Sequence, residues 1–74
     1  MRITVKCYAT LDRFQPESGA VELPEGTTLL ALMQHLGVDP EEAPVSFIND
    51  TFAPAATVLH DGDAVGLLPV VGGG

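Results

Sequence analysis

The chain has 74 residues, enough for one small domain with a thin hydrophobic core. Ten acidic residues against three basic ones give a formal net charge of −7, which disfavours binding to nucleic acid or to an anionic membrane surface. A single cysteine, Cys7, excludes an intramolecular disulfide and a cage of thiolate ligands around a metal. A chain this short has no room for both a substrate pocket and a catalytic lid. Composition therefore favours a carrier, a binding module or a subunit over an enzyme acting alone.

The N-terminal part of the chain predicts two strands joined by a loop. Residues 2–8 alternate between polar and apolar, which is typical of a half-buried strand whose inward positions are Ile3, Val5 and Cys7. Residues 10–18 are mostly polar and contain Pro16, so they predict a loop. A second strand is predicted at about residues 19–23, with Glu22 outward.

The centre of the chain predicts one amphipathic helix. Residues 24–26 form a turn, and Thr27 or Thr28 can cap the helix that follows. Apolar residues at spacings i, i+3, i+4 and i+7 make one stripe, which consists of Leu29, Leu32, Met33 and Leu36. Gly37 can adopt the left-handed conformation that commonly ends a helix.

The remaining segments predict three more strands and a tail. A single helical turn is predicted at 39–42, strands at 45–48, 51–53 and 64–70, and turns at 49–50 and 60–63. The order β-β-α-β-β-β predicts an α+β fold of the β-grasp type, a mixed sheet with one main helix packed across it. We expect residues 1–71 to form the domain and residues 72–74 to form a flexible glycine tail.

Three segments of the chain resemble the MoaD/ThiS family of ubiquitin-like sulfur-carrier proteins, close to the small subunit of molybdopterin synthase. They are residues 21–28, the Asp-Gly-Asp turn within residues 59–63, and the ending Leu-Pro-Val-Val-Gly-Gly-Gly at 68–74. The acidic turn followed by a hydrophobic strand and a Gly-Gly terminus is the specific part. The resemblance covers nearly the whole chain and implies a ubiquitin-like β-grasp.

The resemblance implies that the chemistry is carried by the carboxylate of Gly74. In this family an adenylyltransferase of the ubiquitin-activating type (MoeB/ThiF-like) uses ATP to adenylate the terminal glycine, which then becomes a thiocarboxylate that donates sulfur. Gly73 and Gly74 suit passage through a narrow channel because glycine has no Cβ. The chain would thus be a carrier and a non-catalytic subunit, with no cofactor of its own.

The resemblance leaves the downstream pathway open. The long connection at 10–18 is more similar to the molybdopterin branch, whose partner is the large subunit of molybdopterin synthase (MoaE-like). Val70 departs from that branch, which typically has a second proline there, and Gly72 falls at its variable position. The alternatives are a carrier for thiamine thiazole formation, with thiazole synthase as partner, a ubiquitin-like protein modifier, and a pure interaction module.

Alternation also predicts a partner-binding face. Tyr8 follows the inward Cys7, and Leu68 follows the inward Leu67, so the side chains of Tyr8 and Leu68 should point away from the helix. Phe52 could join them on that face. The resemblance implies that partners dock on an apolar patch at these positions, and the predicted partner-binding residues are Tyr8, Phe52, Leu68 and Val71. The alternative is that Tyr8 and Phe52 fill an edge of a thin core.

Other candidate groups have simpler explanations. Cys7 falls on the inward face of its strand, which favours a small core residue over a reactive thiol. Asp-Gly turn chemistry accounts for Asp61 and Asp63 better than a metal site with His60 does, so no metal is expected. No apolar run approaches the roughly 20 residues of a membrane span, and Met1 leads directly into a strand. We therefore expect a cytoplasmic protein.

Overall fold

The structure, a computed structural model, describes residues 1–69 and contains the predicted succession of strands and helix. The elements are β1 (Arg2–Cys7), a 3₁₀ helix (Ala9–Phe14), β2 (Ala20–Glu22), α1 (Leu29–Leu36), β3 (Val45–Ile48), β4 (Thr51–Phe52) and β5 (Ala64–Leu68). The predicted α+β order β-β-α-β-β-β is confirmed. Within the described residues, no helix is long and apolar enough to cross a membrane. The predicted glycine tail, 72–74, lies outside them.

The strands form a single mixed sheet of order β2-β1-β5-β3-β4. The central pair, β1 and β5, is parallel, whereas β1 with β2, β3 with β5 and β3 with β4 are antiparallel. The first and last strands of the chain therefore lie side by side. This is the arrangement of a β-grasp, and it brings residues 2–8 and 64–68 onto one surface.

The core lies between α1 and one face of the sheet. It includes the inward residues of β1 and β5 and three of the four residues of the predicted helix stripe, namely Ile3, Val5, Cys7, Val65, Leu67, Leu29, Leu32 and Met33. The fourth residue of the stripe, Leu36, is half-buried and packs against this core. The Oγ1 of Thr28 accepts a hydrogen bond from the Ala31 amide at 3.2 Å and caps the helix. Gly37, at φ 84°, ends it, and the Val38 amide donates to the Met33 carbonyl at 2.8 Å.

The segment predicted as a loop at 10–18 begins with ordered structure instead. Residues 9–14 form a 3₁₀ helix because Leu11, only 2% exposed, anchors that turn in the core. Its single buried residue is too little periodicity to predict a helix from. At 39–42 the predicted turn is present, since the Glu42 amide donates to the Asp39 carbonyl at 2.8 Å.

Candidate functional site

The sheet face opposite α1 carries a row of residues that crosses four strands. Strand registers place Lys6 of β1 beside Gly66 of β5, Gly66 beside Phe47 of β3, and Phe47 beside Phe52 of β4. The rings of Phe47 and Phe52 meet edge to face, with centroids 6.0 Å apart. Phe52 is 62% exposed. One end of the row is therefore cationic and the other is aromatic.

A second row on the same face contains the two residues that alternation predicted to point away from the helix. Leu68 pairs with Val45, and the Tyr8 amide donates to the carbonyl of Leu67 at 3.0 Å, which holds Tyr8 beside the end of β5. Tyr8 is 45% exposed and Leu68 is half-buried. Tyr8 and Phe52 are thus surface residues and do not fill an edge of the core. We call this surface, formed by Lys6, Tyr8, Val45, Phe47, Phe52, Gly66 and Leu68, the open face.

A groove of about 330 Å³ runs through the open face. Its lining includes Gly66, the side chains of Tyr8, Phe47 and Leu68, and two residues of opposite charge, Lys6 and Asp50. A Cβ placed on Gly66 would lie 3.5 Å from Cε2 of Tyr8 and 4.0 Å from Cβ of Phe47. The two aromatic side chains therefore stand on either side of a position that has no side chain.

Lys6 is the only lysine of the chain, and its surroundings differ from those of the two arginines, each of which lies near a glutamate. Arg2 lies 3.7 Å from a carboxylate oxygen of Glu22, and Arg13 lies 2.6 Å from one of Glu42. The Nζ of Lys6 lies instead 5.9 Å from the centroid of the Tyr8 ring. Within residues 1–69 it makes no ion pair. The open face thus presents a positive charge on a strongly acidic protein.

The structure brings together some of the predicted site residues and adds others. Tyr8 and Leu68 line one groove, and Phe52 reaches it through contact with Phe47. The predicted residues Val71, Gly73 and Gly74 lie outside the described part of the chain. Sequence reasoning missed the contributions of Lys6, Phe47 and Gly66. The alternation in β1 and β5 that found Tyr8 and Leu68 contains Lys6 and Gly66 as well, two positions earlier in each strand.

The aspartates of the Asp-Gly-Asp turn are engaged in local hydrogen bonds. Asp61 accepts from the Arg2 amide at 2.7 Å. The two carboxylate oxygens of Asp63 accept from the His60 amide at 2.8 Å and the Asn49 side chain at 2.9 Å. These bonds fix the start of β5 against β1 and β3. Among residues 1–69 there is no group of three or more side chains able to hold a metal ion.

Cys7 occupies the core position that its alternation predicted. It is 5% exposed, and burial raises the pKa of its thiol because the charged thiolate is poorly solvated there. A buried thiol with a raised pKa is a weak nucleophile at neutral pH. Cys7 therefore packs in the core and contributes nothing to the open face.

Comparison with known proteins identifies a family and similar structures. A family model described as the ThiS family matches residues 5–74. A putative molybdopterin converting factor, subunit 1, from Pyrococcus furiosus is 25% identical with a TM-score of 0.73, covering 96% of this chain and 99% of that one. SAMP1 from Haloferax volcanii shares the fold at 19% identity and a TM-score of 0.73, with both chains covered completely. No protein of curated function matches the chain in sequence.

Proposed function

Because the chain belongs to the ThiS family, we propose that it is a sulfur carrier that works through the carboxylate of Gly74. The observation that carries this proposal is the family match over residues 5–74, which includes the terminal glycines as well as the folded body. The small size of the chain supports a carrier role, because its chemistry can then be supplied by a partner. We propose that the protein is a non-catalytic subunit and requires no cofactor of its own.

The proposed reaction has two steps. An oxygen of the Gly74 carboxylate attacks the α-phosphorus of ATP on a MoeB/ThiF-like adenylyltransferase, releasing pyrophosphate and forming an acyl-adenylate. Hydrosulfide from a sulfur donor then attacks the activated carbonyl carbon, and AMP leaves with the carboxylate oxygen that had attacked the phosphorus, so that one terminal oxygen is replaced by sulfur. The carrier needs no nucleophile or base, since the anhydride is reactive by itself. This agrees with a buried Cys7 that takes no part.

We propose that the sulfur is delivered in molybdopterin biosynthesis. The likeness to the Pyrococcus furiosus protein, whose title gives it as a putative molybdopterin converting factor, subunit 1, supports this pathway. The partner receiving the thiocarboxylate would be the large subunit of molybdopterin synthase (MoaE-like), and the protein would act in the cytoplasm. Thiazole synthase and lysine side chains of other proteins are the competing recipients.

The open face supports a docking role for the same partners. It combines two exposed aromatic residues, Tyr8 and Phe52, with the half-buried Leu68 at the end of the last described strand. Aromatic side chains clustered on a surface are the usual anchors of protein interfaces. Docking here would bring the partner beside Leu68, the last residue of β5.

Reconstitution with each recipient tests the pathway. Thiocarboxylated protein is mixed with the MoaE-like large subunit and its pterin substrate, or with thiazole synthase and its substrates, and product formation is followed. We expect molybdopterin only in the first mixture, and none when the carrier ends in an ordinary carboxylate. Thiazole in the second mixture alone would contradict the molybdopterin assignment. Higher-mass conjugates on a denaturing gel would indicate a protein modifier instead.

A further inference from the structure

Gly66 occupies a position where folding gives no reason for a glycine. It lies in the middle of β5, the strand paired on both sides, and its φ is outside the left-handed range that favours glycine. A Cβ at this position would meet its nearest neighbours at 3.5 Å and 4.0 Å, which are ordinary contacts. Glycine inside a strand costs stability relative to a residue with a side chain. The missing side chain leaves a space that the Tyr8 ring borders, since its Cε2 would lie 3.5 Å from a Cβ here.

That space is the floor of the groove between Tyr8 and Phe47. At about 330 Å³ the groove lies at the small end of the roughly 300–1,000 Å³ range of small-molecule sites, and its lining combines apolar and aromatic residues with the charged residues Lys6 and Asp50. Two aromatic walls above a bare backbone suit the insertion of one large side chain. Such a side chain would be buried against Tyr8, Phe47 and Leu68 at once.

The charge of Lys6 indicates which group of the partner should lie beside the inserted side chain. Lys6 lies directly beside Gly66 in the strand register. Asp50 lines the same groove, but within residues 1–69 Lys6 makes no ion pair with it or with another acidic residue. The remainder of the protein is acidic, with a net charge of −7. A partner that complements this protein is therefore basic over most of its contact surface and acidic at one point, opposite Lys6.

We propose that Gly66 forms a socket that receives one large apolar side chain of the partner protein, while Lys6 pairs with a carboxylate beside that side chain. This inference rests on the proposed function, because it takes the open face as the surface that docks the adenylyltransferase or the large subunit. It goes further in assigning the centre of the interface to a residue without a side chain. It also states the partner's chemistry as an apolar side chain next to an acidic one on a basic surface.

A size series at Gly66 tests the socket. Binding of the Gly66→Ala and Gly66→Val variants to the cognate MoeB/ThiF-like adenylyltransferase and to the MoaE-like subunit is measured by titration calorimetry. We expect Gly66→Val to weaken binding to at least one of the two by about 30-fold or more, as for hot-spot residues, and Gly66→Ala to fall between it and the wild type. Both variants should match or exceed the wild type in thermal stability, since a side chain favours the strand. Lost affinity without lost stability separates a socket from a structural glycine.

A charge series at Lys6 tests the second part. Lys6→Gln should weaken binding to the same partner about 3- to 10-fold, and Lys6→Glu should weaken it further, because a like charge then faces the partner's carboxylate. Lys6→Arg, which keeps the charge, should bind within about threefold of the wild type. Tighter binding of Lys6→Glu would show that the partner is basic at this point and would overturn the pairing.

The outcomes distinguish the socket from the proposed function. If Gly66→Val binds both partners as the wild type does while Tyr8→Glu binds neither, the open face is the docking surface but the socket is wrong. If all these variants bind normally and the wild type is still thiocarboxylated, the sulfur-carrier function stands and both the docking surface and the socket are wrong. If the wild type binds neither partner and is not adenylated, the proposed function itself fails.

Discussion

Gln15 shows how one side chain can replace part of a strand. β2 pairs with β1 along Arg2 to Thr4, and the Val5 amide donates to the Gly19 carbonyl at 2.9 Å. Beyond that bond the edge of β1 would be open. The Gln15 amide fills the gap, since its Nε2 donates to the Val5 carbonyl at 2.7 Å and its Oε1 accepts from the Cys7 amide at 2.7 Å. A side-chain amide carries the same donor and acceptor as a peptide group, so it continues the ladder.

Removing this amide should destabilise the fold. Gln15→Ala leaves the Val5 carbonyl and the Cys7 amide without their partner, and we expect unfolding in urea to lose about 2 kcal/mol. Gln15→Glu keeps an acceptor for Cys7 but has no donor for Val5 at neutral pH, so its loss should be similar or larger. A loss below about 0.5 kcal/mol in both variants would mean that water replaces the amide without cost.

Burial of Cys7 predicts a dependence of stability on alkaline pH. Because burial raises the pKa of the thiol in the folded state, the unfolded state loses its proton first as the pH rises. This contribution is fully present below the unfolded thiol pKa of about 8.5 and is lost as the pH rises through the folded value. The wild type should therefore lose more stability between pH 7 and 10 than Cys7→Val, measured by denaturant unfolding. Parallel curves for the two proteins would contradict the assignment.

At the scale of single elements, β3 shows where sequence reasoning stops. The strand Val45–Ile48 was predicted, but its facing runs against the simple pattern, because polar Ser46 points inward and apolar Phe47 outward. Ser46 is 4% exposed, and its Oγ donates to the Ala53 carbonyl at 2.7 Å. The register of β3 with β5 and its pairing with β4 determine which side chains of β3 point towards the core. Neither can be predicted from a four-residue segment. In β1, by contrast, strict alternation placed Cys7 inward and Tyr8 outward.

The open face supports a prediction about the two residues that alternation identified. Tyr8→Glu and Leu68→Glu should weaken binding to the adenylyltransferase or the large subunit by about 2 kcal/mol or more, since a charge would be buried at an apolar interface. Their thermal stability should change little, because the core lies on the other side of the sheet. Tyr8→Phe keeps the ring and removes only the hydroxyl. Gln34→Glu is a matched control, because it adds the same charge at an exposed position of α1. Unfolded variants whose remaining folded fraction binds normally would show that these residues serve the core.

At the scale of the whole molecule, the described residues form a body with its own core. Within residues 1–69 the buried hydrophobic core runs from Ile3 to Leu67. The fold could be predicted because turns at Gly26, Gly37 and Gly62 mark the element boundaries and because alternation marks the central strands. The groove could not be predicted, since it depends on which residues of four strands share one row. The role that we propose for the terminal glycines rests on the family match.

Intact-protein mass spectrometry with the cognate adenylyltransferase, ATP and a sulfur source tests the central claim most directly. We expect the wild type to gain the mass difference of one oxygen replaced by sulfur, and fragmentation to place the change on Gly74. A variant lacking Gly74 ends in the carboxylate of Gly73. We expect it to gain no mass, because the shortened chain does not carry its carboxylate to the α-phosphate of ATP, and to keep the wild-type melting temperature, because the core of the described residues ends at Leu67. Gly73→Phe should fold equally well and react far more slowly. Adenylation of the shortened protein at the normal rate would contradict the account.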